Sequence, residues 1–225
     1  MTTLNYTNVN PEKITFEKFK ELTLIKYESK PLLIQTPWLN INAFGMPRRD
    51  EYHTTEEQLK NIHLPIDSKE FKELIQAIDN IMCKEEFKKE HLGDKHEKYT
   101  YHTMLLEKEN KPASIKFKFS TTRDDKQDIL TLLYKTSENE NKMQRTLIDK
   151  PTVDDFMKHI PYRSDVRCIF QIVRLWFQPS TLKNPTYGLT LELIKIEVKE
   201  KLMSNLSCDF IDAEHFNISS DEEIQ

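Results

Sequence analysis

The stretch from Val166 to Phe177 constrains this chain most, because apolar side chains occupy both faces of any strand it forms. Cys168, Phe170, Ile172 and Trp176 alternate onto one face, and Ile169, Val173, Leu175 and Phe177 onto the other. A strand of that composition is covered on both sides over at least part of its length, so it belongs at the centre of a sheet and Trp176 is expected to be buried. The next strand adds a second constraint. Tyr187, Leu189, Leu191 and Leu193 are apolar at odd positions, whereas Ile194, Ile196 and Val198 are apolar at even ones. A one-residue slip reverses side-chain faces, so a β-bulge at Leu193/Ile194 is needed to return both halves to one core.

Further strands are expected at Leu22–Tyr27 and Leu32–Thr36, flanking a turn, and at Tyr99–Leu106, Ser114–Phe119, Asp128–Lys135 and Arg145–Ile148. The run Ser114–Phe119 alternates cleanly: Ile115, Phe117 and Phe119 share one face, Lys116 and Lys118 the other. One strongly amphipathic helix is expected from near Asp67, with Glu70 in a capping-box position and Phe71, Leu74, Ile75, Ile78, Ile81 and Met82 at helical spacing. A short helix is expected over Thr152–Lys158 after Pro151, and loops over 45–63 and 84–98. Bulged, bent strands around one such helix predict a mainly β (α+β) domain, an oligonucleotide-binding (OB)-like Greek-key β-barrel, with a two-sheet sandwich as the alternative. The expected boundaries are a flexible arm over 1–13, one β-rich domain over 14–201, and an acidic disordered tail over 202–225.

Phosphate-loop, dinucleotide, serine-hydrolase and zinc-protease motifs are all missing from the sequence, so no catalytic residue, cofactor or metal ligand set is expected. No apolar run reaches the ~20 residues of a membrane span, and the first residues lack the pattern of a secretory signal, so neither membrane insertion nor secretion is expected. What the sequence does offer is cations interleaved with rings. Trp38 and Phe44 precede Arg48 and Arg49, and Lys116 and Lys118 share an exposed strand face. Binding of single strands without base preference uses that combination, cations for phosphates and ring faces for bases. The charge distribution adds a second feature: six acids and no Lys or Arg follow Lys201, within a net charge of −4. Asp209, Phe210, Asp212, Glu214, Phe216, Asp221, Glu222 and Glu223 are expected to form a partner-binding segment that also competes for the basic surface.

Read in order, Leu32–Pro37, Phe44-Gly45-Met46, the capped helix, Ile169–Phe177 and Tyr187-Gly188-Leu189 resemble a known group of proteins. They are similar to the single-stranded DNA-binding protein family of large nucleocytoplasmic DNA viruses, itself like the short-tailed-phage replication type. The resemblance implies a non-enzymatic protein that coats single-stranded DNA in viral replication or recombination. It also implies contact with replication proteins through the acidic tail, and residence in the host cytoplasm (viral factory) or nucleus. Phage-type tails finish on an aromatic residue, whereas this chain ends Ile224-Gln225. A structural or virion protein of such a virus, with no nucleic-acid binding, is the alternative. Homo-oligomerisation is compatible with either reading.

Overall fold

The computed structural model describes residues 3–19, 22–124, 127–139 and 142–199. The strands are β1 Thr3–Asn5, β2 Ile14–Phe19, β3 Leu22–Tyr27, β4 Lys30–Pro31, β5 Leu33–Gln35, β6 Leu39–Asn40 and β7 Asn61–Pro65. They continue as β8 Thr100–His102, β9 Leu105–Leu106, β10 Ser114–Phe119, β11 Leu132–Asn139, β12 Lys142–Ile148, β13 Asp165–Phe177 and β14 Thr186–Lys199. Four α-helices accompany them: α1 Glu56–Leu59, α2 Lys69–Cys83, α3 Glu85–Leu92 and α4 Val153–His159.

The spine is the antiparallel pair of the two longest strands, β13 and β14. Along the outer edge of β13 three short strands follow one another: β6 beside Asp165–Val166, β5 beside Ile169–Gln171 and β3 beside Arg174–Leu175. The outer edge of β14 is shared in the same way. There β8 lies beside Thr186–Gly188, β10 beside Glu192–Leu193 and β11 beside Lys195–Lys199, all three parallel to it.

This arrangement corrects the expected fold. The six-strand path runs β1-β5-β13-β14-β10-β7, mixed in direction and curled, and its two end strands do not meet. The result is an open half-barrel with four helices, not a closed OB-like Greek-key β-barrel with one, and its strands form one sheet instead of the two of a sandwich. Each edge of the spine is shared by a file of separate segments, and the sheet ends at β1 on one side and β7 on the other.

Local chemistry accounts for the elements. Ser68, not Asp67, caps α2 by accepting from the Phe71 amide, and Phe71, Leu74, Ile75, Ile78 and Met82 are buried from that helix. Phe71 meets Phe170 at 6.4 Å between ring centroids, and Phe170 meets Phe117 at 4.8 Å, which ties α2, β13 and β10 into one core. The Tyr187 hydroxyl donates to the Met82 carbonyl at 2.5 Å, fastening β14 to the end of α2. In the regions expected to be loops, the 45–63 stretch contains α1 and the start of β7, and the 84–98 stretch contains α3 and a 3-10 helix. Phe87 supplies the reason for α3, since its ring packs on Phe16 at 4.8 Å. Residues 3–13, read from the sequence as an arm, form β1 and two 3-10 turns, and Val9 is buried.

Both register shifts in the spine determine what faces away from α2. The expected slip at Leu193/Ile194 is present: Ile169 pairs with Lys195, and Phe170 with Leu193. A second shift between Ile172 and Arg174 was not expected, and it turns Leu175 toward the core while Arg174 and Trp176 leave it. Trp176 is therefore half-buried on the open face instead of packed inside.

A cationic cleft as the candidate functional site

Between its contacts with β8 and β10, the outer edge of β14 has no strand registered against Leu189–Leu191. The sheet parts at this point and leaves a cleft of about 400 Å³. One wall is β10, which presents Lys116 and Lys118; the other is the His102–Met104 turn; Arg174 and Trp176 stand across from them on β13. Leu106, Leu189 and Leu191 contribute apolar surface between these walls.

Each part is held by a specific contact. Asp79 of α2, itself 6% exposed, accepts the Tyr101 hydroxyl at 2.7 Å, the Met104 amide at 3.0 Å and the Leu105 amide at 3.1 Å, which fixes the His102–Met104 wall to the helix. Burial pushes the Asp79 carboxyl above the usual aspartate range, against the pull of those hydrogen bonds. Across the spine Trp176 pairs with Gly188. A Cβ on that glycine would lie 2.7 Å from the indole Cζ2, so the absence of a side chain at 188 lets the ring lie over the β14 backbone.

Cations outnumber acids in the electrostatics of β10 and its neighbours. Partial burial, and then the Lys118 charge, hold the Lys116 ammonium below the usual lysine range. His63, the register partner of Lys116, is driven down to about 4 by burial and by the charges of Lys116 and Lys108. Glu192 is the register partner of Lys118, but its carboxylate accepts from the Ser120 hydroxyl at 3.4 Å. Among the described residues no carboxylate forms an ion pair with Lys116, Lys118 or Arg174.

Trp38 and Arg49, also singled out in the sequence, lie elsewhere and are already engaged. Trp38 carries the Arg167 guanidinium 4.7 Å from its ring centroid, and Arg167 in turn donates to Glu197 at 2.6 Å. Glu197 also accepts from Arg145 at 2.7 Å and Thr136 at 2.5 Å; burial raises its pKa, but these hydrogen bonds outweigh that and leave it below the usual range. Arg49 is paired with Glu56 at 2.7 Å and Asp154 at 3.2 Å. Phe44 lies 6.0 Å from the His63 ring, with the Lys111 ammonium 5.7 Å from its centroid. Arg48 is exposed. The structure thus brings Phe44, by way of His63, toward Lys116 and Lys118, and leaves Trp38 and Arg49 apart from them. The acidic residues from Asp209 to Glu223 lie outside the described residues.

Sequence reasoning missed Arg174, Trp176, His102 and Asp79. The available signal was slight: Arg174 is one of two cations, with Arg167, inside a mostly apolar strand. Among the described residues, no group of three or more His, Cys, Asp or Glu is placed to hold a metal ion, and no helix is long and apolar enough to cross a membrane.

No protein-family model matches the chain, and no curated protein matches it. The likeness to viral single-stranded DNA-binding proteins therefore rests on its short motifs alone. The OB-fold part of that likeness is corrected by the open half-barrel, and with it goes the fold-based argument for single-stranded DNA binding.

Proposed function

We propose that this chain is a non-enzymatic structural protein that acts by presenting surfaces and does not coat nucleic-acid strands. One observation carries the reading: two of the groups the sequence offers for a strand-binding track, Trp38 and Arg49, are consumed within the fold. Trp38 is capped by Arg167, and Arg49 is neutralised by Glu56 and Asp154. Binding of single strands needs free ring faces along a continuous positive groove, and these two groups supply neither. An open sheet built on a long two-stranded spine suits a scaffold role, since its exposed edges and open face are available for contact.

The test is anisotropy of a labelled oligothymidylate titrated with the protein at low and moderate salt, with Trp38 emission followed in a Trp176→Phe background. Flat anisotropy and unchanged emission are the expected results. Salt-sensitive binding that disappears in Trp38→Ala would overturn the proposal in favour of a strand-coating protein.

A further inference from the structure

We infer that the cleft beside Leu189–Leu191 is a binding site for a small organophosphate carrying a flat ring, with Lys116, Lys118 and Arg174 holding the phosphate and Trp176 the ring. This goes beyond the structural role proposed above and does not depend on it.

Three features of the cleft point to this ligand class. First, Lys116, Lys118 and Arg174 line one concavity without a carboxylate partner among the described residues. Cations gathered without counter-charge repel one another, and a bound dianion relieves that repulsion more than a monoanion does. Arginine adds a planar fork matched to two phosphate oxygens, while the lysines act as point charges. Second, the site offers a ring face set in place by the backbone: the Trp176 indole lies over Gly188, and the His102 ring stands 6.1 Å from it at a 52° tilt. An indole fixed in this way is a stacking surface that loses little entropy on binding. Third, the dimensions suit a small molecule. At about 400 Å³ the cleft falls within the ~300–1,000 Å³ of small-ligand sites. It lies between β10 and the His102–Met104 turn, and Lys116 and Lys118 also line a second concavity with Tyr52, Gln58 and Lys60. Thr103 and Thr190 supply hydroxyls at the same cleft for the polar part of the ligand.

Adenosine 5′-monophosphate, inorganic phosphate and adenosine serve as probes, titrated into the full chain with Trp38→Phe as background, so that Trp176 is the sole remaining tryptophan. The expected result is saturable quenching by the monophosphate, competition by inorganic phosphate, and at least tenfold weaker binding of adenosine. Arg174→Ala and Lys118→Ala should each weaken the monophosphate at least tenfold while leaving the melting temperature within a few degrees. Gly188→Val provides a second route, because displacing the indole should abolish the quenching while phosphate still shifts the Lys116 and Lys118 side-chain resonances. Three outcomes would overturn the inference: no response to millimolar monophosphate or phosphate, quenching that survives in Arg174→Ala, or an oligothymidylate that binds at Trp176 far more tightly than the monophosphate. The last would also sink the structural proposal, whereas the first two would leave it standing.

Discussion

Replacing Asp79 by alanine removes one carboxylate and strands three donors: the Tyr101 hydroxyl and the amides of Met104 and Leu105. Met104 and Leu105 are only 5% and 7% exposed, so their amides have little access to water once the acceptor is gone. An orphaned buried donor costs ~1–3 kcal/mol, and the Tyr101 hydroxyl, whose hydrogen can rotate toward another acceptor, falls at the low end. Against a gross loss of ~4–6 kcal/mol, the variant no longer has to bury a charge, which returns ~1–2 kcal/mol. The net expectation is a destabilisation of about 2–5 kcal/mol, or a melting temperature lower by roughly 4–20 °C for a domain of this size. Differential scanning calorimetry at neutral pH reads the shift. Asp79→Asn separates acceptor count from charge, since its amide oxygen can still serve Tyr101 and Met104, which share Oδ1, while its amide nitrogen faces the Leu105 N–H. It should lose about half as much. If the alanine variant melts within ~3 °C of the parent, or asparagine proves no better than alanine, Asp79 is not the anchor of the cleft wall.

Acidification should destabilise the protein through His63, whose folded pKa near 4 lies below the ordinary 6.5. Between those values the unfolded chain binds a proton that the folded chain refuses, so the contribution is present above pH 6.5 and is lost as pH falls toward 4. With solvent reaching part of the ring, the loss is about 1–2 kcal/mol, and urea melts at pH 7 and pH 5 should show it shrinking in His63→Gln; equal losses in both proteins would refute the assignment. Lys116→Ala should raise the His63 pKa in an NMR titration, and an unchanged value would mean that burial and Lys108 set it without Lys116. Gly188→Ala places a Cβ 2.7 Å from the Trp176 ring and 3.1 Å from the His102 carbonyl oxygen, so it should cost about 1–3 kcal/mol and shift the tryptophan emission; a variant with parental stability and spectrum would show that the indole is not seated on the β14 backbone.

Local patterns in this sequence translate directly into structure where one face is polar and the other apolar. Lys116 and Lys118 point outward while Ile115, Phe117 and Phe119 are buried, as alternation requires, because a half-buried strand has a strong contrast between faces. The amphipathic run of α2 and the slip at Leu193/Ile194 are legible for the same reason. Contrast is lost in β13, where both faces are apolar. The bulge between Ile172 and Arg174 therefore leaves no periodic trace, and strict alternation places Trp176 on the wrong face. The short helix α3 was hidden by its charge: a single buried ring, Phe87, anchors eight mostly polar residues. The pairing of β14 with β8, β10 and β11 could not be read locally at all, since parallel neighbours come from far apart in the chain and no turn joins them. The cleft depends on those pairings, and so its full set of residues was invisible although Lys116 and Lys118 were not.

The spine that organises the sheet is also the last part of the described chain to be made, and this sets the order of folding during synthesis. All six segments that flank β13 and β14 precede Asp165. At ~5–20 residues per second, they wait roughly three to thirty seconds before their partner strands emerge. The β1–β5, β2–β3, β3–β4 and β11–β12 pairs, the helices and the β7–β10–β9 group can form from neighbours already present. Until residue 165 is translated, the backbones of β3, β5, β8 and β10 expose pairing edges meant for the spine. A nascent chain stalled before that point is thus an array of unpaired strands suited to chaperone capture or aggregation, and the β13–β14 hairpin converts it in a single late event.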